Sequence, residues 1–114
     1  MIKLPKRVKI GGGWVEVEYP YTFRERTDVL GLSQSTMRRI NVGNIMDGGE
    51  EIPGYAVMTT FIHELLHAID HQTGHRMFDD EEDTSAIHGL SCGILNVLLD
   101  NGWLPKEFIG EDDE

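Results

Sequence analysis

Polar and apolar residues alternate with a period of two over Arg7-Val8-Lys9-Ile10 and again over Trp14-Val15-Glu16-Val17-Glu18-Tyr19. Gly11-Gly12-Gly13 stands between the two runs, and alternation around a glycine turn predicts a β-hairpin. Pro20 is expected to end the second strand, because it has no N–H to give to a ladder. Tyr21 to Leu30 reads as a short helical or irregular connector, punctuated by Gly31. Met37 to Val42 alternates again and carries β-branched residues, which predicts a third strand. The polar residues that precede it suit a strand at a sheet edge. Asn41 to Gly54, with Gly43, Gly48, Gly49 and Pro53, reads as a surface loop.

From Tyr55 the period changes. Phe61, Ile62, Leu65, Leu66 and Ile69 flank a polar stripe at helical spacing, and Gly74 supplies a C-cap, so a long helix is predicted over Tyr55 to His71. His75 to Asp83 is an acidic linker whose carboxylates suit the start of a following helix. That second helix is expected from Thr84 to Leu99, with an apolar stripe of Ile87, Leu90, Ile94 and Val97 or Leu98. Asn101-Gly102 closes it. Trp103, Leu104, Phe108 and Ile109 are expected to pack back on the core, ahead of a frayed acidic end from Glu111 to Glu114. Hairpin, strand, loop and two helices predict one α+β domain over residues 1–114. In it a small, mostly antiparallel sheet, the N-terminal hairpin plus an edge strand, packs on the two helices.

Composition narrows the function classes. The chain has 114 residues, 39% hydrophobic and 26% charged, the balance of a soluble globular domain. No apolar run approaches the roughly 20 residues of a membrane span, and no apolar segment follows the first lysines as in a signal peptide. One cysteine, Cys92, suits a reducing cytoplasm. A net charge of −10 argues against nucleic acid as a partner. The bases gather before Asn41, which reads first as solvated faces and second as a surface for an acidic partner.

The chemistry lies in His63-Glu64-Leu65-Leu66-His67. Histidines four apart on a helix stack on one face and can direct two imidazole nitrogens at one ion. Zinc accepts such nitrogens at about 2.0–2.1 Å and, in catalytic sites, keeps one position open for water. A carboxylate directly after the first histidine stands where the general base on a zinc-bound water is needed. The plainer reading is a helix with two incidental histidines. Asp70 is placed to orient a ligand imidazole. His71 is exposed near the helix end or lies beside the site. Cys92 is a small buried residue or faces the metal, and no residue announces itself as the oxyanion stabiliser, Tyr55 and His71 being near only in sequence.

The Thr-x-x-His-Glu-x-x-His helix, the strand before it and the later helix ending Leu-Leu-Asp-Asn together resemble the small HExxH proteins of bacteriophages and prophages. These are similar to the minigluzincins, compact zinc peptidase domains of zincin fold. The resemblance implies Zn2+ held by His63, His67 and a third residue, with Glu64 as catalytic base. The metzincin pattern is excluded, because Asp70 and Thr73 stand where glycine and histidine belong. Gluzincins take a glutamate from the next helix; matching their Leu-Ala-x-Gly-Leu turn to Leu90-Ser91-Cys92-Gly93-Ile94 puts His88 at that position instead. Glu82 and His75 are its rivals, followed by Glu81 and Asp83. The function so implied is zinc-dependent peptide-bond hydrolysis on a protein or peptide substrate, by a monomer in a bacterial cytoplasm with no membrane or nucleic-acid partner. The alternative is a non-catalytic zincin-like domain that binds metal or a partner.

Overall fold

Gly11 and Gly12, with φ of +58° and +84°, close the predicted hairpin. Positive φ at both central residues is the two-residue turn whose twist matches the strands on either side. The computed structural model describes residues 3–21, 31–34, 38–44, 49–74, 76–78 and 85–104. Strand β1 (Arg7–Ile10) pairs antiparallel with β2 (Gly13–Tyr21), with Ile10 opposite Gly13. Arg38 staples this turn to the rest of the molecule: its guanidinium donates to the carbonyls of Trp14 (2.9 Å) and Ile10 (3.3 Å) and to Gln72 Oε1 (2.9 Å).

The expected α+β class holds, and the sheet inside it differs from the expected hairpin plus edge strand. Among the described residues it has four strands, in the order β1-β2-β4-β3. The predicted third strand is β4 (Arg39–Gly43), which lies in the interior rather than at the edge and runs parallel to β2, so the sheet is mixed. Its burial explains the placement: Ile40 and Val42 have no accessible surface and Asn41 only 2%. Among the described residues the edge belongs to a separate short strand, β3 (Gly31–Gln34), antiparallel to β4, which takes Ser33 and Gln34 from the polar stretch. Pro20 does not end β2, which continues to Tyr21; a register shift between Glu18 and Tyr21 lets the ladder pass the missing donor.

The described residues also form two helices, α1 (Gly54–Thr73) and α2 (Ser85–Asp100), each within two residues of its predicted bounds. At the start of α1, the Pro53 carbonyl accepts the N–H groups of Ala56 and Val57. At its end Gly74 takes the left-handed conformation and donates to the His71 carbonyl, as expected of a C-cap. α1 packs against β3, β4 and α2. The core joins Val15, Val17, Ile40 and Val42 of the sheet to Val57, Met58, Phe61 and Ile62 of α1 and Leu95 of α2.

On α2 the inward face is Ile87, Ser91 and Leu95, whereas Leu90, Ile94 and Val97 of the predicted stripe stay exposed. Apolar residues occupy two faces of this helix, so periodicity alone does not select the buried one. Trp103 is 68% exposed rather than packed back, while Leu104 does reach the core. Phe108, Ile109, the acidic end and most of the Tyr21–Leu30 connector lie outside the described residues.

Candidate metal centre

On α1 the positions Val57, Phe61, Glu64 and Ala68 follow a four-three-four spacing and are all buried. This is the spacing of a core-facing stripe, and a carboxylate occupies one of its slots. Glu64 is 8% exposed, and burial alone pushes its carboxyl up to about 7. The imidazoles of His63 and His67 stand on the adjoining face, half-buried, with ring centroids 5.0 Å apart and planes tilted by 58°. Ligand atoms of His63, Glu64 and His67 all lie within 4.8 Å of one another.

The edge strand meets the helix at this point. A methyl group on Gly31 would fall 2.6 Å from Thr60 Cγ2 and 3.0 Å from Glu64 Cγ, so only glycine lets β3 come this close. Gly31→Ala is therefore expected to push β3 off α1 and to lower stability by about 1–3 kcal/mol in urea unfolding. An unchanged midpoint would mean that the strand yields without cost.

Asp70, one turn beyond His67 and 6% exposed, accepts the N–H of Met77 at Oδ1 (2.8 Å) and that of Phe78 at Oδ2 (2.9 Å). Those bonds draw the chain after α1 back along the helix. They set the Phe78 ring edge-on to His67, with centroids 6.5 Å apart. Asp70 thus bears on His67 through the segment it holds, a contribution that its spacing alone does not reveal.

His63 is held below the ordinary imidazole value, first by burial and then by the positive charges of His67 and His88. A lowered value keeps the ring neutral and its lone pair free for a cation near pH 7. His88 lies on α2, exposed, close enough for its charge to act on His63 but not within the compact three-residue group. Its Nε2 is 3.6 Å from Cys92 Sγ, and Cys92 is half-buried. The rivals His75 and Glu82, with Glu81 and Asp83, lie outside the described residues. His71 and Tyr55 are exposed. No helix among the described residues is long and apolar enough to cross a membrane.

The donor set fits a cation. Imidazole nitrogens are donors that a zinc-class ion takes, and those of His63 and His67 lie on one helix face within 4.8 Å of each other, with the Glu64 carboxyl beside them. No protein-family model, curated protein or solved structure matches the chain.

Burial of Glu64 has a consequence for the metal-free protein. Its folded value of about 7 exceeds the ordinary 4.5, so between these pH values the folded state holds a proton that the unfolded chain has released. Ionisation then works against the fold, and stability falls as pH rises from about 4.5 to about 7, by about 3 kcal/mol in total. Chelator-treated wild type is expected to lose this increment relative to Glu64→Gln across that window in denaturant titrations. Parallel curves for the two proteins would show that the folded carboxyl titrates normally.

Proposed function

We propose that this chain is a zinc-dependent peptide hydrolase in which His63 and His67 hold the metal and Glu64 moves the proton. The observation that carries the reading is the union of two imidazoles with a buried, proton-retaining carboxyl on one helix. His88 is proposed as the third ligand, since it is the α2 histidine whose charge reaches His63. When bound, zinc supplies Lewis acidity: it polarises a scissile carbonyl and brings the pKa of a water toward neutrality.

The chain's own residues do the rest. Glu64 sits in an apolar stripe that excludes bulk water and is tuned close to neutral pH, where a group both accepts and returns a proton readily. A Glu64 Oε oxygen takes the proton of the attacking water and delivers it to the leaving amine. Phe78 and the Asp70-anchored backbone limit the rotation of His67. Strand β3, at the sheet edge and against Glu64, offers main-chain groups along which an extended peptide can pair, which favours a peptide as substrate. The resemblance to phage-type HExxH domains supports the same reading and points to substrates in a bacterial cytoplasm.

The test is elemental analysis of the purified protein followed by incubation with a pooled peptide library, with and without a chelator. About one zinc per chain and chelator-sensitive cleavage are expected for a single His-His site. Metal without turnover would return the chain to the non-catalytic alternative, and no metal after reconstitution would overturn the reading.

A further inference from the structure

The outer face of the hairpin carries positive charge that no carboxylate among the described residues matches. Residues 1–13 hold Lys3, Lys6, Arg7 and Lys9 and no acid, in a chain with 20 acidic and 10 basic residues. All four side chains are exposed. Val8, Ile10, Val15 and Val17 turn toward the core, so Arg7, Lys9, Trp14 and Glu16 share the opposite face. The Arg7 guanidinium lies over the Trp14 ring, 4.1 Å from its centroid, and Lys9 Nζ stands at 5.7 Å. Glu16 is directly across the ladder from Arg7, yet the two form no ion pair. Arg38, beside the turn, spends its donors on two carbonyls and the Gln72 amide oxygen. Among the described strand residues the one ion pair is Arg39 with Glu18, at 3.3 Å.

We propose that this corner docks an acidic peptide segment, which adds as a strand to the free edge of β1. Two independent features meet there. Among the described residues β1 has a strand neighbour on one side only, and its other side offers main-chain groups for pairing. Arg7 and Lys9 are two residues apart on one face of that strand, about 6.8 Å at the rise of an antiparallel strand. Carboxylates two apart in an added strand repeat at the same interval, and side chains paired across strands approach to about 4.5–5.5 Å. The segment recognised therefore carries Asp or Glu at alternate positions. Trp14 holds the Arg7 head in place before anything binds, which lowers the ordering cost of docking. The tryptophan is itself 47% exposed, and Trp and Arg are the side chains that most often anchor interfaces.

The net charge of −10 belongs almost wholly to residues beyond this corner, Glu16 being the first acid of the chain. Fields decay over about 8 Å at physiological ionic strength, so a segment of a few residues meets the patch and little else. A nucleic-acid strand or a charged membrane plane reaches past the patch to the acids elsewhere. Neither brings a peptide backbone to pair with β1. The same cations repel β1 of a second copy, so the edge is closed to its like and open to an acidic strand. β1 and β3 are opposite edges of the sheet, which sets this corner apart from Glu64 and makes the proposal independent of the metal-site reading.

The test titrates the full chain into a labelled peptide alternating Glu with Thr, read by fluorescence anisotropy in the presence of a chelator, so that neither metal nor turnover enters. A Kd on the order of 100 μM is expected, rising about tenfold between ~0.02 M and ~0.5 M NaCl. The same peptide with Gln for Glu is expected to bind about tenfold or more weakly, as is the intact peptide to Arg7→Gln/Lys9→Gln. Both substituted side chains are exposed, so the variant keeps the fold. An added strand pairs through alternate N–H groups, so N-methylation of one alternate set in the peptide is expected to abolish binding and of the other to spare it. No saturable binding below ~1 mM, undiminished affinity in the double variant, or two methylated sets that behave alike overturns the proposal. Tighter binding of an oligothymidylate or of phosphatidylserine vesicles overturns it as well.

Discussion

Glu64→Gln is expected to bind zinc as wild type does and to cleave peptides about 10²–10⁴-fold more slowly. The substitution keeps side-chain volume in a slot between Phe61 and Ala68, where an unfilled position would leave a cavity. It changes one property, the ability to carry a proton away from water and back to an amine. Two readouts separate the outcomes. Metal content reports whether the histidines still close on the ion, and single-turnover rate reports the proton transfer. Cleavage at the wild-type rate by the variant would remove Glu64 from the chemistry and leave its raised pKa as a by-product of burial.

His63→Ala and His67→Ala should each release the metal. A structural zinc contributes about 10–16 kcal/mol shared over its ligands, so losing one donor costs roughly 3 kcal/mol, more than 100-fold in affinity. Competition with a chromogenic chelator measures this directly. The informative comparison is His88→Ala beside Glu82→Ala and His75→Ala. A loss of similar size in His88→Ala alone would make the site a three-histidine centre with its third ligand on α2. A loss confined to Glu82→Ala would return it to the gluzincin pattern. Asp70→Asn is expected to have a smaller effect, about 10–100-fold in affinity, because Asp70 acts on His67 through the backbone of Met77 and Phe78.

The helix that carries His63 and His67 was legible because its signals are local. His63 and His67 four apart, the apolar flanks and Gly74 past the end all refer to one another within five turns. The burial of Glu64 was legible in principle, since Val57, Phe61 and Ala68 mark a core stripe that it completes, but the motif draws the eye to the histidines first. The sheet was less accessible. A parallel pairing of β2 with β4 joins residues far apart in sequence, and nothing in Arg39-Ile40-Asn41-Val42-Gly43 says which neighbour it takes or in which direction. Strand β3 has four residues, begins with glycine and pairs on one side only, so its alternation is too short to count. In α2 the residues Ile87, Leu90 and Ile94 and the residues Ile87, Ser91 and Leu95 are both helical series. Only the position of α1 decides that Ser91 turns inward and Leu90 outward.

The two hydrogen bonds from Met77 and Phe78 to Asp70 make the segment after α1 a thermodynamic partner of His67. Phe78 leans on the imidazole while hanging from the carboxylate one turn on, so whatever restrains the ring also restrains that segment. Linkage makes the relation reciprocal: a cation that fixes His67 slows the opening of residues 76–78, and loosening that segment weakens the cation by the same free energy. Amide exchange at Met77 and Phe78 then becomes a reporter of occupancy at the candidate metal centre.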